Sequence, residues 1–487
     1  MLFNSYIFVF LFFPLVVAGY YWLHHLRLQK AALGYLVAMS MAFYGYNSIR
    51  YLMMLVISIM VNYLLVRMMD KAESKTRKKL CLTAGIAYNI GILFYFKYFD
   101  FFIENVNAAL RTDYPFLRLA LPLGISFYTF QQLSYVIDSY RGDCERYSLL
   151  EYAAYVSFFP QLIAGPIVYH DELIPQFRAR ENHCIRYENL CKGIYAFALG
   201  MAKKVLVADT LSKVVTSGYA NVDELNSIST ILVMLCYSLQ IYFDFSGYCD
   251  MAYGIGYMFN VELPVNFNSP YKAASVREFW DRWHMTLTRF FTKYVYIPLG
   301  GSRKGTVRTY VNVMIVFLVS GIWHGANWTF ILWGVVNGLG NLYDRLFDRT
   351  LQKIPRVLRA AVTFAFCTVA WSMFRAESVG QGLQMIGNLI DCGDGKLYAE
   401  IAENFNQIIE VRLLGQMGLQ PLIQACPWFM LAVFVFLLIL ACLGLRNTQE
   451  KVHDGRYGVR RIAVIVVLLL WSILSLSEVS EFLYFNF

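Results

Sequence analysis

The sequence predicts an all-α, polytopic integral membrane protein, with about 10–12 transmembrane helices and re-entrant and amphipathic helices between them. Two observations carry this expectation. The first is composition. Of 487 residues 58% are hydrophobic and only 15% charged, where soluble globular chains carry roughly 25% charged residues. A soluble chain of this length would form about three domains, and 42 basic and 33 acidic residues are too few to cover three surfaces. A mean hydropathy of +0.47 agrees. The same composition excludes a disordered chain, a collagen-like fibre and a small disulfide scaffold. The second observation is a series of apolar runs near the length of about 20 residues that a spanning helix needs.

Those runs are 5–23, 31–49, 51–67, 80–99, 119–138, 188–208, 228–246, 310–323, 327–343, 358–374, 426–445 and 462–476. The first has no basic leader and no small-residue cleavage site, so it is kept as a span and not as a signal peptide. Loop charge sets the orientation. Segment 67–79 holds Arg67, Lys71, Lys75, Arg77, Lys78 and Lys79 and is expected inside. Basic loops 271–308, 344–359 and 446–461 are expected on the same side, and the acidic loop 376–425 on the other. Both termini then fall outside.

Two runs are interrupted. Residues 149–169 contain Pro160 and Gly165-Pro166. Such breaks at membrane depth survive only inside protein or along a cavity, so a re-entrant segment is expected. The run 309–343 breaks between Gly321 and Asn327 and is flanked by charge at both ends, so both ends are expected inside. No internal repeat or linker is evident, and one domain covering 1–487 is expected, with an outer tail at 477–487.

The 10 cysteines are scattered, without metal-ligand spacing, and read as small buried hydrophobes. No metal site is expected. No basic stripe carries a nucleic-acid-binding signature, so no nucleic-acid partner is expected.

Of the 7 histidines, His24, His25, His170, His183 and His453 fall in polar loops or at span ends. His324 differs, because it sits at the break of a long apolar run. An ionisable group there is costly, and histidine suits general-base work. The alternative is a core histidine satisfied between helices. His284 closes the run Arg277-Glu278-Phe279-Trp280-Asp281-Arg282-Trp283-His284. Apolar residues at 279, 283, 287, 290 and 294 have helical spacing, and Glu278 can pair with Arg282 at i,i+4. The stretch is either an interfacial helix on anionic lipid or a helix that points His284 into a cavity. Gly300-Gly301-Ser302-Arg303-Lys304-Gly305 lacks P-loop spacing but offers Arg303 and Lys304 to a phosphate; it reads equally as a topology-setting loop. Asp244 and Asp250 at the end of a span favour a structural role over acid–base work.

Several of these segments resemble the membrane-bound O-acyltransferases, in the bacterial branch that contains alginate O-acetylation and teichoic acid D-alanylation proteins. They are Met1-Leu2-Phe3-Asn4-Ser5, Phe158 to Pro166, Tyr242 to Asp250, Glu278 to His284, Tyr296 to Gly301 and Trp323-His324-Gly325. The Ile297-Pro298-Leu299-Gly300-Gly301 run leans toward the alginate type. The resemblance implies helices ringed about a thin partition with a central pore, in a bacterial plasma membrane. It implies acyl transfer from a cytoplasmic thioester, acetyl-CoA or an acyl-carrier phosphopantetheine, to an envelope polysaccharide or peptidoglycan. No tightly bound cofactor is implied. His324 matches the family's essential histidine and His284 its second. Arg282, Arg303 and Lys304 become donor-binding candidates. An outer acetyltransferase and an acyl carrier protein are the implied partners beside the lipid bilayer. The chain end, Glu481 to Phe487, resembles an aromatic–tyrosine motif of envelope acylation systems, which makes Tyr484 either a transient acyl carrier or an interfacial anchor. D-alanyl transfer is the near alternative. A transporter would be expected to show two repeated halves with paired broken helices, and a scaffold would need no titratable His324.

Overall fold

The computed structural model describes residues 1–391, 398–455, 458–476 and Leu483. Tyr484 and the rest of the expected tail, Leu483 apart, lie outside them. Among the described residues the chain forms helices and turns, with no strand. Every expected apolar run contains a helix. Among the described residues, six helices are long and apolar enough to cross a membrane: Phe8–His25, Ile49–Lys71, Lys75–Leu110, Ser227–Met258, Thr306–His324 and Arg356–Arg375. A bent pair, Ile409–Ala425 and Phe429–Gly444, adds a seventh candidate. Gln29–Gly45, Ile125–Arg141 and Val459–Leu474 occupy other expected spans but are only 16 or 17 residues long.

Contacts divide the chain into two compact units. The first comprises Met1–Leu199, Tyr248–Val265 and Tyr457–Val466. Its core is aromatic, with Phe3 stacked on Phe43 and Tyr248 at 5.6 and 4.9 Å. Polar groups on its apolar helices satisfy one another. Ser58 Oγ donates to Gln132 Oε1 at 2.9 Å, and Asn89 Nδ2 to Asn62 Oδ1 at 2.6 Å. In hydrocarbon an unsatisfied amide costs several kcal/mol, so such pairs tie helices together. The expected interruption is present. A capped helix, Leu149–Ser157, stops at Phe158, one helical turn follows at Phe159–Leu162, and the chain turns again at 163–165 before running without regular structure to Tyr169. Residues 154–170 are all buried, as irregular backbone must be if no water reaches it.

The second unit comprises Gly200–Gly247, Asn266–Arg456 and Val467–Phe487. Its centre is a helical hairpin, Thr306–His324 and Trp328–Leu351, joined across three residues. Both ends of the run 309–343 therefore lie on one side of the break, as the flanking charge requires. Small residues allow the close approach: a Cβ on Gly321 would stand 2.5 Å from the Phe330 carbonyl oxygen, and one on Gly334 2.5 Å from that of Phe317. Those contacts are backbone, so neither helix can yield without the other moving. Gly334→Val is expected to destabilise the folded protein by about 3 kcal/mol or more; thermal unfolding in detergent measures it.

One element differs from expectation. Residues 277–294 do not form one amphipathic helix. Val276–Trp280 is a short helix, His284 takes left-handed backbone angles (φ 45°, ψ 49°), and Met285–Phe291 starts afresh. Long-range bonds impose the break. Asn268 N–H donates to the Arg282 carbonyl at 2.9 Å, and Met285 N–H to the Asn266 carbonyl at 3.0 Å. The apolar face is not laid on lipid either, since Phe279, Trp283, Leu287 and Phe290 are all buried within the unit.

Candidate active site

His324 is the last residue of the first hairpin helix. The chain leaves through Gly325, where a Cβ would collide with the Phe330 ring, and Asn327 caps the second helix by accepting from Thr329 N–H at 3.1 Å. The imidazole is buried against Trp323, Trp333 and Phe374, with ring centroids at 4.9, 5.1 and 5.1 Å. Such walls exclude water, which strengthens any electrostatic interaction made inside them.

His284 is fully buried and lies edge-on to Phe245 at 4.8 Å. Its left-handed backbone costs roughly 1–2 kcal/mol for a residue with a Cβ, and strain of this kind clusters at functional sites. Asn266 orients it. Asn266 Oδ1 accepts from the Thr286 backbone N–H at 3.3 Å and from the Thr286 hydroxyl at 2.9 Å. A backbone N–H can only donate, so this atom is the amide oxygen. The same oxygen lies 3.0 Å from His284 Nδ1, which therefore carries the proton. Nε2 then bears the lone pair. Burial lowers the imidazole to about 3, which keeps it neutral near pH 7. The segment around His284 is separate from the six long apolar helices.

The fold brings the two expected histidines to one side chain. The Trp323 indole is 6.2 Å from the His284 ring and 4.9 Å from that of His324. A cavity of about 340 Å³ is lined in part by Arg277, Trp280, Ser302, Ser320, Asn341 and Arg345. Neither histidine lines it; Trp280 packs on Trp333 at 5.5 Å, and Trp333 on His324 at 5.1 Å. Ser320 precedes His324 by four residues on the same helix, so the two share a face. The cavity sets two guanidinium groups against one carboxylate, Asp281, beside an apolar wall, and this net positive charge suits a phosphate-bearing ligand with a long neutral arm.

The three expected donor-binding residues lie elsewhere. Arg282 pairs with Glu278 at 3.0 Å and donates to the Asn268 carbonyl at 3.1 Å; Arg356 reaches the same carboxylate at 2.8 Å. Arg303 and Lys304 are exposed on the turn after Gly300 and Gly301, whose φ of 106° and 54° suit glycine. Neither these two nor Arg282 lines the cavity, although Ser302, just before Arg303, does. Asp244 is buried and paired with Lys204 at 2.7 Å, and Lys204 also meets Asp209 at 2.7 Å. That arrangement is an ion cluster. The backbone N–H of Leu483 donates to Asp244 Oδ2 at 3.1 Å.

Sequence reasoning missed Asn266, Arg277, Arg345 and Lys204. Only Lys204 carried a signal, as a charge inside an apolar run. His170 stands at the start of the His170–Arg178 helix, directly after the 149–169 segment, and its burial and partners carried no signal in the sequence. His170 is fully buried, with Nε2 3.3 Å from Asp138 and Nδ1 3.1 Å from the Tyr147 hydroxyl. Burial opposes its charge, but the Asp138 carboxylate outweighs this and raises it to about 9.

The long apolar helices and the hairpin that ends at a buried histidine define a class: a multi-pass helical membrane protein. Residues 50–379 match the membrane-bound O-acyltransferase family, and the chain belongs to that family. It is similar to a peptidoglycan O-acetyltransferase of Helicobacter pylori, at 36% identity over 100% of this chain and 98% of that one. It is equally similar to the probable alginate O-acetylase AlgI of Pseudomonas putida, at 36% identity over 100% of both. A teichoic acid D-alanyltransferase of Bacillus subtilis is more distant, at 24% identity over 52% of this chain and 69% of that one. The chain is an O-acyltransferase and a multi-pass membrane protein.

Proposed function

We propose that the protein passes an acetyl group from a cytoplasmic thioester across the plasma membrane to an envelope polysaccharide or peptidoglycan, with an outer acetyltransferase as partner and the chain acting as one membrane-embedded catalytic domain. The observation that carries this reading is the neighbourhood of His324. A buried imidazole stands on the same helix face as Ser320, which lines the cavity with Arg277 and Arg345. The relatives that match over the whole chain carry acetylation in their names.

The chemistry follows from the groups present. An acceptor hydroxyl attacks the thioester carbonyl carbon while His324 takes its proton. The tetrahedral intermediate collapses, the C–S bond breaks, and the sulfur leaves as a thiolate. A thiol pKa near 8.5 makes this exit possible without a strong acid. The neutral His284 is oriented by Asn266 to position the donor or to assist at the oxyanion. Arg277 and Arg345 hold the donor's phosphates. Removing both side chains (Arg277→Ala with Arg345→Ala) is expected to raise the donor KM about tenfold or more with a smaller change in kcat, since phosphate contacts bind ground and transition states alike.

Tyr484 is the proposed acyl relay on the outer side. Its sequence neighbour Leu483 donates its backbone N–H to Asp244 at 3.1 Å. Tyr484→Phe keeps an aromatic anchor and removes the phenol, so loss of polymer acetylation at unchanged membrane level is expected. Full acetylation in this variant would remove the relay from the scheme.

Growth on labelled acetate or labelled D-alanine, in a deletion strain complemented with this protein, tests the whole reading. Acetate label released from the envelope polymer by mild base is the expected result. D-alanine label alone would replace acetyl by D-alanyl transfer, and no label from either would overturn the proposal.

A further inference from the structure

We propose that a groove between the Trp328–Leu351 and Arg356–Arg375 helices binds one anionic glycerophospholipid, whose phosphate is held by Arg359. The groove encloses about 590 Å³ and belongs to the second unit. Its wall is apolar and open, with Leu339, Tyr343, Leu358 and Val362 54%, 53%, 58% and 69% exposed. In water such a surface would be unfavourable at about 25 cal/mol per Å². On a membrane protein, acyl chains are the apolar groups available to cover it.

Depth and charge separate this groove from an ordinary lipid-facing surface. Arg359 stands on its wall, and Arg359 Nε is buried without a hydrogen-bond partner. Arg359 as a whole is only half-buried, so with Nε enclosed it is the rest of the side chain that can be reached from the groove. A guanidinium matches a phosphate in a two-point fork, and its two terminal nitrogens supply one. The Arg359 backbone is held in place, since the Thr363 hydroxyl donates to its carbonyl at 2.9 Å. Leu351 and Ile354 close the groove at the turn between the helices; the exposed Lys353 stands on that turn, and the exposed Arg349, with Asp348 beside it, in the last turn of the preceding helix. A cationic end and an apolar trough complement an anionic headgroup with its acyl chains. A zwitterionic lipid offers Arg359 the same phosphate but sets its own ammonium beside Arg349 and Lys353, so the cationic end favours a headgroup with net negative charge.

The groove also borders the candidate donor site. Asp344 on its wall accepts from the Arg277 backbone N–H at 3.0 Å, and Arg277 lines the 340 Å³ cavity. A lipid in the groove would therefore rest against the segment that carries Arg277. The lipid proposal itself requires no particular acyl donor.

The test is native mass spectrometry of the full chain released from nanodiscs of phosphatidylcholine with a minor share of phosphatidylglycerol. One retained phosphatidylglycerol, enriched over its bulk share, is expected. Arg359→Gln is expected to lower that enrichment about fivefold. Val362→Trp, at an exposed position, fills the trough and is expected to abolish retention. Unfolding temperatures near that of the parent protein would show both variants folded. A parent protein with no retained lipid, lipids retained in their bulk ratio, or enrichment unchanged in Arg359→Gln would each overturn the proposal.

Discussion

Replacing His324 with alanine is expected to lower acyl transfer by about 10²–10⁴-fold, the range that a positioned general base supplies. The readout is base-released acetyl ester on the envelope polymer, in a deletion strain complemented at matched membrane level. The argument rests on where the imidazole sits. It ends a helix, is walled by Trp323, Trp333 and Phe374, and shares a helix face with the cavity-lining Ser320. In that setting water is a poor substitute for the missing base. Alanine also leaves a void among the three aromatic rings, so His324→Gln serves as the second variant. Glutamine keeps volume and hydrogen bonding but cannot take a proton near neutrality. Parallel loss in both variants, with unfolding temperature kept in His324→Gln, assigns the loss to proton transfer. Normal acetylation in His324→Gln would make the histidine a packing residue.

Much of this site was legible in the sequence, and what escaped has a common physical cause. The helices could be read because hydrocarbon demands long apolar runs, and the hairpin because Gly321, Gly325 and Asn327 interrupt one. His324 stood out because a titratable group is conspicuous in such a run. The pairing of Glu278 with Arg282 was legible too, as an i,i+4 contact. Arg282 so paired does not line the cavity that holds Arg277 and Arg345, a consequence that spacing alone does not reveal. Periodicity over 279–294 suggested one helix, since apolar residues recur at helical intervals on both sides of His284. The break is imposed by residues 266–268, which are remote in sequence. Arg277 and Arg345 are 68 positions apart and share a cavity only after the hairpin closes. His170 and Asp138 meet across 32 positions. Local pattern carries little information about partners of this kind.

Asn266 is the residue with the second largest expected effect, and it acts through His284. Its side-chain oxygen takes the His284 Nδ1 proton, the Thr286 amide and the Thr286 hydroxyl. Asn266→Leu orphans these donors in a buried site, at about 1–3 kcal/mol for each. Loss of acyl transfer of about 100-fold or more is expected, through a His284 free to turn or change tautomer. Instability alone would give the same loss, so Asn266→Asp is the discriminating variant. Aspartate keeps an acceptor at Nδ1 and adds negative charge, which favours the imidazolium and raises the His284 pKa by about 1–3 units. In the parent protein burial lowers the folded value to about 3, below the unfolded value near 6.5. The unfolded chain therefore binds the extra proton first, and this residue's contribution to stability falls away as pH drops from about 6.5 toward 3. Neutral His284 persists through that window, so it adds no acid limb to kcat/KM near neutrality. Asn266→Asp is expected to bring such a limb upward into the measurable range and to soften the acid loss of stability. A purely structural Asn266 would change the unfolding temperature and leave the pH profile of kcat/KM where it was.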